Sequence, residues 1–366
     1  MAQPRIIAML KSTLHFLNIV LVNIVVFLLA FLALESATRT YTLIRKGRGF
    51  FRQNTFISCW ITSYDYPPPM VESDGRLYFR HRVGPTSWEK PEDTLRIIAV
   101  GGSTTICLGA YRDAGIDYPM ELERRLAREF PDFNVEVLNA GADAYSTAHS
   151  LVNIQFRLVE LDPDVILLME NINDSSVNYF LDGATPDYSN KYLQSYFLNP
   201  RLQGTLSFTG LLTQSRFLSK FGLPQMLANK PGAIHLENDY RYGLHLFSRN
   251  LANIAAVCSL SNIELVLMSQ PSSLKPDPSV SEEAFLAYND EMEKVATKEG
   301  IQFIDMYSLM GHDDRYFIDK VHYTPEGVER FAQIACSELV PMVGALRHGR
   351  AGGELSHQNA FHNLRN

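Results

Sequence analysis

The sequence is poor in cysteine and lacks any surplus of positive charge. Its four cysteines, Cys59, Cys107, Cys258 and Cys336, stand far apart, with no C-x-x-C pair and no Cys/His cluster at zinc-ligand spacing. Neither a structural zinc site nor a dithiol redox motif fits that pattern, and the redox compartment stays open. Lys and Arg number 33 against 40 Asp and Glu, a formal net charge of -7. Binding to a phosphate backbone needs a basic face, and no RNA or DNA motif occurs, so nucleic acid is excluded as a partner. Internal repeats are absent too. What is present in quantity is apolar side chain, 46% of 366 residues, ample for one large domain or two small ones.

One long apolar run stands out. From Phe16 to Leu34 no residue is charged, and Asn18 and Asn23 are the only polar interruptions, which at 1.5 Å per residue suits a bilayer span. The reading is an N-terminal flank (1–12) followed by a transmembrane anchor at 13–35. A cleaved signal peptide fits less well, because the run exceeds the usual apolar core of about 7–15 residues and Leu34-Glu35-Ser36-Ala37 is a poor small-x-small cleavage site. Arg39, Arg45, Lys46, Arg48 and Arg52 follow the span, whereas Arg5 and Lys11 precede it. The positive-inside rule alone keeps the main domain in the cytoplasm. The same basic cluster equally suits anionic lipid headgroups beside the membrane.

Residues 36–93 form this basic juxtamembrane segment and then a connector rich in Pro, Ser and aromatics, expected to be irregular. A strand–helix alternation begins at about residue 94. Strands are expected at 96–100, 135–140, 164–170, 263–269 and 301–306, with helices at 118–130, 147–160, 244–260 and 281–299 between them. A last helix starts at Thr324-Pro325, a good N-cap and N1 pair, and runs to about Leu346. Five strands alternating with helices predict a three-layer α/β/α sandwich around a five-stranded parallel sheet of order 2-1-3-4-5. This domain spans 94–346. Residues 177–240 interrupt it with many aromatics, from Tyr179 and Phe180 to Phe217 and Phe221. That insertion leaves the sheet at the edge where a site is expected and is either a lid or substrate wall, or a segment packing on a flank or on the membrane. The polar tail at 347–366 is expected to be disordered, and its His348, His357 and His362 to be solvated.

The residues able to carry chemistry lie far apart in sequence and alike in placement, each just beyond an expected strand or on the loop before the last helix. Ser103 lies in Gly101-Gly102-Ser103-Thr104-Thr105, a strand-to-helix turn where helix N–H groups favour a developing oxyanion. Alone, this pentapeptide is an ordinary glycine-rich turn with a capping serine. Asp319 precedes His322 by three residues, so its carboxylate can hold one ring nitrogen and leave the other as a base. Asn173, in Asn171-Ile172-Asn173-Asp174, offers a carboxamide donor, and Gly141, in Asn139-Ala140-Gly141, a closely approaching backbone N–H. Asp174 reads as a turn or cap residue. In an open parallel sheet the carboxyl ends of all strands share one edge, so these groups are expected to meet.

Over roughly 95–342 this pattern resembles the SGNH (GDSL-type) hydrolase family: Gly102-Ser103, Gly141, Asn173-Asp174 and Asp319-Lys320-Val321-His322 stand in the order of its blocks. Two positions depart from it. Gly-Gly-Ser replaces the usual Gly-Asp-Ser, and Asn171 replaces the Gly of Gly-x-Asn-Asp. The resemblance implies Ser103 as nucleophile, His322 as base, Asp319 as its orienting acid, and an oxyanion hole from the Ser103 and Gly141 N–H groups and the Asn173 side chain. It implies no metal and no organic cofactor. Anchored members of the family commonly face outward, which sets the extracytoplasmic (periplasmic) side against the charge count.

Three functions compete. The leading one is a membrane-anchored esterase or O-acyltransferase acting on acylated cell-envelope or exported polysaccharide. The second is a lipase or lysophospholipase acting on a lipid ester. The third is a catalytically weak scaffold that binds a glycan or a partner protein.

Overall fold

The computed structural model describes residues 3–46, 70–73, 76–79, 81–82, 85–179, 183–186, 188, 215–219, 235–278 and 280–351. The chain forms two compact units, one of Met1–Phe56 with Leu198–Gly232, the other of Ile57–Phe197 with Ala233–Asn366.

In the first unit, α1 (Gln3–Lys46) is a single helix of 44 residues, longer than the expected span. Its stretch Thr13–Arg45 is long and apolar enough to cross a membrane.

The second unit begins with a feature the sequence reading missed. Within the connector expected to be irregular, β1 (Met70–Ser73) and β2 (Arg76–Phe79) pair antiparallel. Then come β3 (Thr94–Gly101), the short helices α2 (Ser103–Ile106) and α3 (Leu108–Ala114), α4 (Tyr118–Glu129) and β4 (Asn134–Asn139). Cys107, at φ 56°, breaks the path between α2 and α3. The expected helix 147–160 is a composite: α5 (Thr147–Asn153) continues as a π-helical turn, Ile154–Leu158, and a 3-10 turn, Val159–Leu161. Next are β5 (Val165–Met169) and α6 (Ile172–Ser175). In the first unit the insertion contributes α7 (Arg216–Ser219). The second unit closes with α8 (Arg241–Leu260), β6 (Glu264–Met268), α9 (Glu282–Glu299), β7 (Gln302–Ile304), α10 (Met306–Met310) and α11 (Pro325–Ala351).

The five-stranded sheet is parallel throughout, in the order β4-β3-β5-β6-β7, as expected. Alternation along β3 sends Leu95, Ile97 and Ala99 into one apolar layer with Leu122 of α4 and Val328 and Phe331 of α11. Ile98 and Val100 face the other layer, with Phe247 and Leu251 of α8 and Tyr288 of α9. Local chemistry sets the helix ends: the Asp117 side chain accepts from Met120 N, that of Ser281 from Ala284 N, and that of Thr324 from Gly327 N at 3.1 Å.

At the amino ends of the strands a buried arginine ties the sheet to the chain before it. Arg96 is fully buried and donates to Glu136 Oε2 (2.7 Å), Leu161 O (2.6 Å), Ser87 O (3.0 Å) and Trp88 O (3.3 Å). Because all three guanidinium nitrogens donate to protein oxygens, one of them a carboxylate, the buried charge is compensated.

The tail expectation needs correction at its start, because α11 continues to Ala351 and His348 Nδ1 bonds Gly344 O within it. Helix propagation from a well-packed start carries it past the last core residue. Residues 352–366, with His357 and His362, lie outside the described residues, as do Cys59 and most of the aromatic insertion, including Phe180, Tyr192, Tyr196, Phe197, Phe208 and Phe221.

Candidate active site

Strand register builds the site. Gly101 pairs with Met169, so the turns after β3 and β5 leave the sheet side by side. Ser103 opens α2 two residues after the end of β3, and Asn173 lies in α6 just beyond β5. Asp319 and His322 arrive from the loop before α11, which is closed by a bridge between Phe317 and Tyr323 and by Ile318 N donating to His322 O at 2.8 Å.

Ser103 Oγ lies 2.8 Å from His322 Nε2. The other ring nitrogen, Nδ1, is 2.8 Å from Asp319 Oδ2 and 3.0 Å from Oδ1. Asp319 Oδ1 also accepts from the backbone N–H of His322 (2.9 Å) and Val321 (3.0 Å). Burial opposes ionisation of Asp319, but the His322 ring and these two N–H groups outweigh it and hold the carboxyl far below the usual carboxylate range. The hydrogen bond that His322 donates to Asp319 lifts His322 above the ordinary imidazole value; burial pulls the other way, and the charges of Asp319 and Asp143 add to the rise. A hydroxyl, an imidazole and a carboxylate thus form one chain of hydrogen bonds, the arrangement that makes a serine nucleophilic.

Asn173 is beside the nucleophile turn: a Cβ built on Gly102 would stand 2.5 Å from its Nδ2. Gly141 is packed beneath α2, where a Cβ would meet Ile106 N at 2.8 Å and Thr105 Cβ at 2.9 Å. Its N–H donates to Asn139 Oδ1 at 3.0 Å, so donation to a substrate oxygen requires that bond to be exchanged or shared. Farther along the same loop, Ala144 adopts φ 60°, and Tyr145 O lies 3.2 Å from the Cβ built on Gly102. Asp174 is a structural group, as the sequence suggested: nearly fully buried, it accepts from Thr147 N and Oγ1 at the start of α5 and from Tyr188 OH (2.7 Å).

Sequence reasoning missed an amide network that sets the spacing of these turns. Gln270, just after β6 and 1% exposed, accepts from Ile172 N at 2.9 Å, and its Nε2 lies 3.4 Å from Thr104 Oγ1. One side chain therefore spans the residue after the serine and the residue before Asn173. Asn289 of α9 brackets Gln270 by accepting from its N–H (2.9 Å) and donating to its carbonyl (3.0 Å). Asn171, which replaces the family's glycine, donates to Asn289 Oδ1 and Phe285 O, each at 2.8 Å. Its φ of -166° is extended backbone open to any residue, so the substitution adds ties without demanding glycine.

Exposed apolar side chains flank the hydrogen-bonded trio. Leu108 opens α3 at 55% exposure and Ile318 adjoins Asp319 at 47%. A Cβ on Gly109 would stand 2.6 Å from Ile318 Cδ1, so the two segments touch. Among the described residues, no group of three or more His, Cys, Asp or Glu is placed to hold a metal ion.

Comparison with known proteins places this geometry in context. Residues 99–330 match the GDSL-like Lipase/Acylhydrolase family. Solved structures similar to this chain include an acetylxylan esterase from Geobacillus stearothermophilus, with 14% identity, 67% of this chain and 94% of that one covered, and a TM-score of 0.44. An alpha/beta hydrolase from the metagenome of Lake Arreo, Spain, has 16% identity, coverage of 69% and 96%, and a TM-score of 0.41. The lipase/acylhydrolase from Enterococcus faecalis has 16% identity, coverage of 67% and 95%, and a TM-score of 0.42. No curated protein matches the chain.

Proposed function

The chain belongs to the GDSL-like lipase/acylhydrolase family, and from that premise we propose that it is a membrane-anchored serine ester hydrolase or O-acyltransferase acting on acylated cell-envelope or exported polysaccharide. The observation that carries this reading is the 2.8 Å contact of Ser103 Oγ with His322 Nε2, backed by Asp319 on the far ring nitrogen.

Ser103 Oγ attacks the ester carbonyl carbon while His322 Nε2 takes its proton. The resulting oxyanion is met by the Ser103 N–H at the start of α2 and by Asn173 Nδ2, with the Gly141 N–H as third donor once it leaves Asn139. Collapse expels the alcohol, which receives the proton from His322, and leaves an acyl group on Ser103. Water or a sugar hydroxyl then gives its proton to His322 and attacks the acyl carbon. Release of acid or new ester returns the proton to Ser103. No cofactor enters the scheme.

Support for the anchored location is the apolar stretch Thr13–Arg45 of α1, and support for a surface glycan is its pairing with an esterase domain. The hydrolase domain is proposed to face the extracytoplasmic side. A C-terminal reporter active only outside the cytoplasm tests this, and a stable but silent fusion overturns it.

A panel of esters from acetyl to long acyl chains, tested on the full chain beside Ser103→Ala and His322→Ala, tests the chemistry. Turnover of acetyl esters, abolished by either substitution, supports the leading reading. A lipid ester is the second reading, favoured by exposed Leu108 and Ile318 beside the site, and preference for long chains would select it. Failure of a fluorophosphonate to label Ser103 in folded protein, while a known hydrolase reacts in parallel, would overturn both in favour of a binding scaffold.

A further inference from the structure

The carboxylate that ends the apolar run of α1 is held by a segment distant in sequence. Glu35 is the first charged residue after Phe16–Leu34. It accepts from Ser215 Oγ at 2.7 Å and Phe217 N at 2.9 Å, and pairs with Arg39 Nε at 2.7 Å. Its side chain is 12% exposed, and Ser215 is buried. Ser215 Oγ also accepts from Leu218 N at 3.1 Å, so the hydroxyl that caps α7 is the one that donates to Glu35. One turn before Glu35, the Phe31 ring meets that of Phe217 edge on, with centroids 6.3 Å apart.

Two consequences follow from this junction. A leader that is cut away has no reason to have its carboxylate satisfied by a buried serine and a backbone N–H 180 residues later. The junction also falls where the uncharged run ends: Leu28, Leu29 and Leu32 just before it are exposed apolar side chains and Glu35 is not. Charge identifies what lies beside it. Arg216 lies in α7, and Arg39 and Arg45 follow Glu35 in α1, with no acidic residue in Ser215–Ser219 or after Glu35 in α1. Both stretches of chain at the junction carry the sign that anionic headgroups attract.

We propose that α1 is a permanent part of the mature protein, and that Glu35 seats the Ser215–Ser219 turn at the surface of an anionic phospholipid bilayer. The inference rests on α1 being the membrane span proposed above.

The test uses the full chain in vesicles of phosphatidylcholine and phosphatidylglycerol. Phe217→Trp supplies a reporter, and Trp60→Phe with Trp88→Phe removes the native indoles. Intact mass should include residues 1–46, and phospholipids brominated near the carbonyls should quench the reporter. Glu35→Ala should lose most of that quenching with circular dichroism unchanged, whereas Glu35→Gln, which keeps an acceptor oxygen, should retain it. Phosphatidylcholine alone should quench less. A mature mass beginning beyond Glu35 overturns the span and this inference together. A membrane-integrated chain whose reporter is quenched by aqueous iodide but not by brominated lipid overturns the seat alone. Equal quenching without phosphatidylglycerol overturns the anionic partner.

Discussion

The amide of Asn173 occupies the space that a side chain at Gly102 would need, since a Cβ there would stand 2.5 Å from Nδ2. The second position of Gly-Gly-Ser thus lies against the proposed oxyanion donor. The nearest obstructing atom ends a flexible side chain, and backbone Tyr145 O at 3.2 Å must give only slightly, so the fold yields at modest cost while the donor cannot stay in place. Gly102→Ala should lower thermal stability slightly and kcat by about tenfold to a hundredfold. Asn173→Ala should lower kcat by about 10²–10³, the usual cost of one such donor. Steady-state kinetics beside a melting curve check both.

The acid limb of kcat/KM should lie above the ordinary imidazole value of about 6.5. In the proposed mechanism activity needs neutral His322, and the hydrogen bond it donates to Asp319 raises its pKa, so turnover is lost as pH falls through that raised value. In Asp319→Asn the lift disappears while burial still favours the neutral ring. The limb should move to lower pH as kcat falls by about 10³–10⁴. A pH–rate profile whose limb stays fixed in the variant would contradict the assignment.

Gln270→Leu should destabilise the domain by about 1 kcal/mol, because it removes the acceptor of the part-buried N–H of Ile172. Since the same side chain spans the Ser103 and Asn173 turns, kcat should fall more than KM changes. Denaturant unfolding and kinetics on one preparation separate the two effects.

Ala144→Gly should stabilise the protein, by less than about 1 kcal/mol. The φ of 60° at Ala144 costs an L-residue roughly 1–2 kcal/mol, part of which glycine returns through its freer unfolded chain. A rise in the unfolding midpoint checks the sign.

The sheet was legible because each strand is a short apolar run closed by turn residues, as Ile97–Val100 is by Gly101-Gly102. The site was legible because each candidate follows a strand or precedes the last helix, and a parallel sheet gathers such positions at one edge. The β1–β2 hairpin escaped because four-residue strands in a proline-rich stretch give no period. The split between α2 and α3 escaped because Cys107 turns left-handed without being glycine. Gln270, Asn289 and Asn171 read singly as loop or helix-surface amides, and only their meeting from three elements makes them a frame. Glu35 and Ser215 meet across 180 residues, a distance no local pattern reports.

The partners Ser103 and His322 are 219 positions apart. A ribosome adding about 5–20 residues each second therefore releases the hydroxyl many seconds before the imidazole exists to activate it. On the proposed mechanism the growing polypeptide carries an inert serine until the loop of His322 and α11 have been made and docked, so reactivity waits for the part of the fold synthesised 219 positions later.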